Sequence, residues 1–140
     1  MGDVVVSVLV AVYVEAGTAP RRFLILRRPA ARAAGWQFVT GKVEAEDGNL
    51  EAAARREIFE ETGLPPPTNL RAFDFTREFT GYDGRRYQQH HFAAAYHDVA
   101  TLACALTTPE HEEARWVNAS EAARLLTWQA DREVLARILA

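Results

Sequence analysis

The order in which the periodic segments follow one another predicts an α+β or α/β sandwich rather than a regular βα repeat. Three observations carry that prediction. Two apolar, β-branched runs open the chain; a single Ala-rich helix follows; further strands and a helical C-terminus complete it. No internal repeat, low-complexity tract or composition break marks a linker, so residues 1–140 read as a single domain.

Val4 to Val14 is apolar at both alternating positions, the pattern of a strand buried on both faces. Gly17 to Pro20 turn the chain, and Arg22 to Arg28 reads as the return strand around Phe23-Leu24-Ile25-Leu26. Pro29 to Gly35 is a loop, Trp36 to Thr40 a short strand, and Gly41 to Asn49 irregular and acidic. Leu50 to Thr62 is the clearest helix, with Asn49 as N-cap and Gly63 in the left-handed position that ends it. Leu70 to Phe79 and Arg86 to Tyr96 form a strand pair around Gly81-Tyr82-Asp83-Gly84. Glu113 to Val117 is a last strand, followed by helices over Ser120 to Leu126 and Trp128 to Leu139.

Apolar residues are 49% of the 140 and charged residues 25%, enough of each to bury a core. No apolar run approaches the roughly 20 residues of a membrane span. Asp3 stands where a signal peptide carries positive charge, so the first apolar run reads as a strand rather than a targeting segment. A single cysteine, Cys104, excludes a disulfide framework and points to a reducing, cytoplasmic setting; it reads as a small buried residue or a loop thiol. A net charge of −3 argues against duplex nucleic acid as the main partner.

The chemistry concentrates in Arg55-Arg56-Glu57-Ile58-Phe59-Glu60-Glu61-Thr62-Gly63-Leu64. At about 100° per residue, Glu57, Glu60 and Glu61 share an arc of about 100° on one flank of the helix. Apolar positions border that arc on both sides, Leu50, Ala54 and Ile58 on one, Ala52 and Phe59 on the other. Like charges at these spacings cost about 0.2–0.5 kcal/mol per pair, and desolvation against a sheet raises the cost. Two readings stand at this level. One is a solvated acidic helix end with Arg55 and Arg56 as partners; the other is a seat for a hard divalent cation, with carboxylate oxygens as ligands.

The surrounding residues resemble the Nudix box, G-x(5)-E-x(7)-R-E-U-x-E-E-x-G-U with U a bulky aliphatic, through Gly41, Arg56, Glu57, Ile58, Glu60, Glu61, Gly63 and Leu64. The resemblance implies the α/β/α sandwich of Nudix hydrolases, a mixed central sheet flanked by helices. It departs from the box in two places. One extra residue lies between Gly41 and Arg56, and the position eight before Arg56, Glu in the pattern, is Gly48. In the family that Glu pairs with the box Arg; here Asp47 or Glu46, displaced by the extra residue, stands in for it.

By resemblance, the activity is Mg²⁺-dependent hydrolysis within the phosphate chain of a nucleoside diphosphate linked to another group, with Mn²⁺ accepting the same oxygen donors. Gly41 (through its carbonyl), Glu57, Glu60 and Glu61 are the implied metal ligands, with Glu44 as an additional oxygen. Arg56 orients a Glu, and Glu60 or Glu61 takes the proton of the attacking water, with His111, Glu112 and Glu113 as rivals. Arg27 and Arg28 end a strand beside the box, and alternation sends one to the substrate phosphates and the other to solvent. Lys42, the lone lysine, is a phosphate contact or a surface residue.

The run Trp36-Gln37-Phe38-Val39-Thr40-Gly41 resembles the Trp-Gln-x-Val-Thr-Gly run of dihydroneopterin triphosphate diphosphatases, and Glu110-His111, Arg115-Trp116-Val117 and Leu126-Thr127-Trp128 lean the same way. The implied partner is a small nucleoside or pterin triphosphate that loses pyrophosphate. A diadenosine polyphosphate, a MutT-type damaged nucleotide, or silent nucleotide binding without hydrolysis are the alternatives. Trp36 stacks on the flat ring or is a core aromatic. A homodimer is an assembly the resemblance allows.

Overall fold

The computed structural model describes residues 3–104, 106 and 111–140; Glu110, quoted above, lies outside them. Among the described residues seven strands form one mixed sheet: β1 (Val5–Val14), β2 (Arg22–Arg28), β3 (Gly35–Gln37), β4 (Val39–Lys42), β5 (Asn69–Thr80), β6 (Arg86–Tyr96) and β7 (Glu113–Val117). The helices are α1 (Leu50–Thr62), α2 (Ala119–Leu125) and α3 (Gln129–Leu139). The path through the sheet is β3-β2-β1-β6-β5, with β4 on β1 and β7 on β2. β1 runs parallel to β6, and the remaining pairs are antiparallel.

Strand β1 is central because its side chains are apolar in both directions. Val8, Val10, Val12 and Val14 pack with Leu24, Leu26 and Val39 against Ala53, Ala54 and Ile58 of α1. Leu9 and Ala11 pack with Phe23, Ile25 and Phe38 against α2 and α3, through Ala122, Val134, Leu135 and Ile138. The sandwich of helix, sheet and helix pair follows directly. No helix among the described residues is long and apolar enough to cross a membrane.

The segment expected as one strand over Trp36 to Thr40 is two. β3 pairs with β2 and β4 pairs with β1, and the chain changes partner at Phe38. The Phe38 N–H leaves the ladder and donates to Asp131 Oδ2 at 2.8 Å, which is why the strand breaks there. The exchange opens the sheet. β1 meets β2 only at Tyr13 and Val14, while β4 takes its place beside Ser7 to Val10.

Local capping sets the helix bounds. Asn49 Oδ1 accepts the Ala52 N–H at 2.8 Å, and Gly63 adopts φ 76° at the C-terminus of α1. Asn118 and Glu121 form a reciprocal capping box that starts α2 one residue before the expected Ser120. Cys104 is exposed beside a short 3₁₀ turn, a loop thiol rather than a buried residue.

Leu24 is fully buried between the sheet and α1. Leu24→Ala is expected to lower the unfolding free energy by about 2–5 kcal/mol, read by urea denaturation. Asn49→Ala is expected to lower it by about 1 kcal/mol, through the lost cap alone.

Candidate active site

A cleft of about 1070 Å³ lies where β1 and β2 part. α1 presents Arg56, Glu57, Glu60 and Glu61 to it, and the strand and loop before α1 present Gly41, Lys42 and Glu44. The three glutamates expected on one helix flank therefore do face a common cavity.

Arg56 organises them. Its Nε and Nη2 donate to the two carboxylate oxygens of Asp47 at 2.7 and 2.9 Å, a bidentate pair. Nη1 donates to Glu57 Oε1 and Glu60 Oε2, both at 2.8 Å, and Nη2 also donates to the Lys42 carbonyl at 2.8 Å. The five N–H donors of the guanidinium are thus all engaged by the protein. Arg56 is a positioning residue. Its guanidinium holds the Asp47 carboxyl below the usual carboxylate range, and Arg56 is itself driven further toward the charged form, chiefly by Asp47.

Asp47, not Glu46, takes the role left open at Gly48. The extra residue is accommodated by a 3₁₀ turn over Ala45–Asp47, in which Asp47 Oδ2 also accepts the Glu44 N–H at 2.8 Å. Gly48 closes that turn at φ 78°, a left-handed conformation that disfavours a glutamate there.

Glu57 is 7% exposed, and burial pushes its carboxyl up to about 7 despite the opposing pull of Arg56. Gly41 makes this placement possible: a Cβ at that position would fall onto the Glu57 carboxyl group. Glu60 is half exposed at the cleft mouth. Glu61 is buried, with Oε2 3.0 Å from His111 Nδ1, and neither atom has an aligned hydrogen-bond partner. Their contact is one of charge and proximity.

Among the expected rivals for proton transfer, only His111 reaches the acidic cluster. Glu112 and Glu113 pair with Arg27 at 3.5 and 3.6 Å. Arg27 and Trp36 do not line the cleft: Trp36 stacks beneath Arg27 and Arg115 at 5.9 and 4.8 Å and packs against the α2–α3 core. Of the two readings of Trp36, ring-stacking surface or core aromatic, the position fits the second: it is a partly buried packing aromatic whose ladder partner Arg27 shares its face of β2–β3.

Arg28, one residue on, faces the cleft, between Tyr82 at 5.2 Å and Trp128 at 5.9 Å, with Nη1 donating to Gln37 Oε1 at 3.5 Å. Lys42 and Glu44 sit exposed on the rim. Ser7, Arg77, Gln89 and Asp131 also line the cleft, and no sequence pattern gives them a role. No motif carries them. The signal was polar residues inside otherwise apolar strands and an acid at the start of the last helix.

The donor chemistry fits a hard divalent cation. Carboxylate oxygens dominate one wall, Glu61 Oε2 is buried without an aligned partner, and Gly41 leaves the Glu57 carboxyl room. Among the described residues no three His, Cys, Asp or Glu side chains stand together as a ready cluster. Arg56 spans Glu57 and Glu60, and His111 stands 3.0 Å from Glu61, so each of the three acids has a partner within the protein.

The family model of the NUDIX domain matches residues 4–138. An octanoyltransferase of Myxococcus xanthus is 33% identical over 135 residues, 94% of this chain, and the chain spans only 36% of that protein's length. The E. coli dihydroneopterin triphosphate pyrophosphohydrolase superposes with a TM-score of 0.74 at 26% identity, covering 99% of this chain and 100% of that one. An Ap4A hydrolase of C. elegans superposes with a TM-score of 0.75 at 18% identity, over 97% of this chain and 96% of that one, a likeness of fold.

Burial raises Glu57 from 4.5 to about 7 and Asp131 from 3.8 to about 7, so both give stability as neutral acids that is lost as pH rises through 7. The metal-free protein is expected to lose stability between about pH 5 and about pH 8. Glu57→Gln keeps the acceptor for Arg56 without the charge. It should exceed the parent by roughly 1–3 kcal/mol at pH 8 and match it below pH 4.5, read by chemical denaturation across pH.

Proposed function

The chain belongs to the NUDIX domain family, and from that premise we propose that it hydrolyses a phosphoanhydride in a nucleoside or pterin triphosphate, with release of pyrophosphate. The observation that carries this reading is the gathering of Glu57, Glu60 and Glu61 of α1 along one wall of a cleft large enough for such a substrate. The likeness to the E. coli dihydroneopterin triphosphate pyrophosphohydrolase supports the triphosphate class.

Glu57, Glu60 and Glu61, with the Gly41 backbone, would hold Mg²⁺ or Mn²⁺. A bound divalent ion supplies Lewis acidity toward phosphate oxygens and a lowered pKa for bound water. The protein's own groups do the rest. Asp47 and Arg56 keep the α1 carboxylates aimed into the cleft. Arg28, with Lys42 on the rim, puts positive charge where the phosphate chain lies. Glu60 or Glu61 would accept the proton of the attacking water, with His111 3.0 Å from Glu61. Arg56 bridges Glu57 and Glu60, and His111 lies 3.0 Å from Glu61, so these acids would reach a divalent ion already oriented by the protein's own groups.

Pyrophosphate release from a panel of nucleoside and pterin triphosphates in Mg²⁺ is the test, and absence of turnover on every member overturns the reading. Glu60→Gln and Glu61→Gln are each expected to lower kcat/KM by about 10²-fold, as loss of several kcal/mol of charge stabilisation requires. Retention of activity within a few-fold refutes the ligand assignment. Asp47→Ala is expected to weaken Mg²⁺ binding by about 10- to 100-fold through disorientation of the acids, measured by metal titration.

A further inference from the structure

Gln37 is buried at the end of β3, and its amide takes no part in the proposed hydrolysis. Strand register places it. Gln37 pairs with Leu26, so Arg28, two residues beyond Leu26, shares its face of β2–β3. The crossing at Phe38 brings Thr40 of β4 within reach of the same amide. β7 also pairs with β2, starting at Glu113 opposite Arg27, and the Glu112 N–H donates to the Arg27 carbonyl at 2.9 Å. His111, one residue earlier, is thereby delivered to the same end of β2.

At 4% exposure the Gln37 amide needs partners, and three side chains supply them. Oε1 accepts from Arg28 Nη1 at 3.5 Å. Nε2 donates to Thr40 Oγ1 at 3.1 Å and stands 3.2 Å from His111 Nε2. The polarity of this chain of contacts runs one way. A guanidinium only donates, so the carbonyl end of the amide faces Arg28 and the NH₂ end faces Thr40 and His111. An amide NH₂ also only donates, so His111 Nε2 must accept, and the ring proton belongs on Nδ1. Nδ1 lies 3.0 Å from Glu61 Oε2, with both side chains buried.

We infer that Gln37 is a positioning residue for Glu61: by holding His111 in the Nδ1–H form, it turns an N–H rather than a lone pair toward the Glu61 carboxylate. The opposite form would set a nitrogen lone pair against a carboxylate oxygen at 3.0 Å, in surroundings too buried for water to screen the repulsion. The contact lacks the alignment of a full hydrogen bond, so Nδ1–H compensates the Glu61 charge by proximity. Arg28 stands at the head of the same chain, and the cation that faces the cleft therefore also fixes the amide that governs Glu61. The inference rests on the proposed hydrolysis only for the divalent ion that Glu61 would hold.

Long-range ¹H–¹⁵N correlation spectra of the metal-free protein, recorded at about pH 8 and so above the usual histidine range, report which ring nitrogen carries the proton. The His111 signals among the four histidines are identified by their absence from His111→Asn. Nδ1 protonated and Nε2 bare is the form expected in the parent, and also in Glu61→Gln, where the carboxylate charge is gone. Gln37→Met removes the donor at similar volume, and the proton is expected to appear on Nε2. Gln37→Glu is the second variant: it keeps the contact with Arg28 but only accepts, so Nε2 is expected to be protonated there as well. Mg²⁺ titration by calorimetry is expected to show binding about tenfold weaker in Gln37→Met than in the parent. A parent ring protonated at Nε2, an Nδ1–H form lost in Glu61→Gln or kept in both Gln37 variants, or an unchanged Mg²⁺ affinity overturns the inference. The expected spectra and Mg²⁺ affinities without turnover of any triphosphate uphold it and overturn the hydrolysis; turnover with an unchanged ring form in both Gln37 variants does the reverse.

Discussion

Arg56 carries the charge balance on which the candidate site depends. Three glutamates on one short helix, two of them buried, would be costly without compensation. The guanidinium meets that demand by geometry as well as by charge, joining the turn before α1, the end of β4 and two of the three acids. A lysine at this position would bring one charge without the planar fork, and the Asp47 pair would lose its bidentate character. The cluster is therefore neither a solvated acidic helix end nor an unpaired one. It is a set of carboxylates held in place by a cation that can share them.

The cleft itself is a consequence of strand exchange. A flat sheet with β1 and β2 paired along their length would have no opening. Because Phe38 gives its N–H to Asp131, the chain leaves β2 and joins β1, and the sheet parts around that crossing. Gly41 then lies directly against Glu57, where no side chain fits. The same hydrogen bond thus shapes the sheet and ties the α3 side of the cleft to the strand that leads into the acidic loop. Fold and site share one support.

Much of this was legible in local patterns. The two-sided burial of β1, the cap at Asn49, the stop at Gly63 and the grouping of the α1 acids follow from side-chain spacing, which acts over a few residues. The roles of Arg27, Arg28 and Trp36 were not, because alternation says that neighbours face opposite ways without saying which way holds the cleft. Ser7, Gln89 and Asp131 escaped for a related reason: each is a polar residue in an apolar setting, separated from the others by tens of positions, and only the register of β1 with β6 and the packing of α3 on both bring them to one cavity.

The sequence alone determined the element order, the acidic flank of α1 and the need for something to neutralise it, since helical periodicity and like-charge repulsion are short-range and written in adjacent residues. Only the tertiary structure decided that Asp47 rather than Glu46 engages Arg56, that Arg28 rather than Arg27 faces the cleft, and that His111 stands behind Glu61. Those choices turn on which strands pair, in what register and at what depth, and such non-local contacts set both the geometry and the dielectric in which each charge is held.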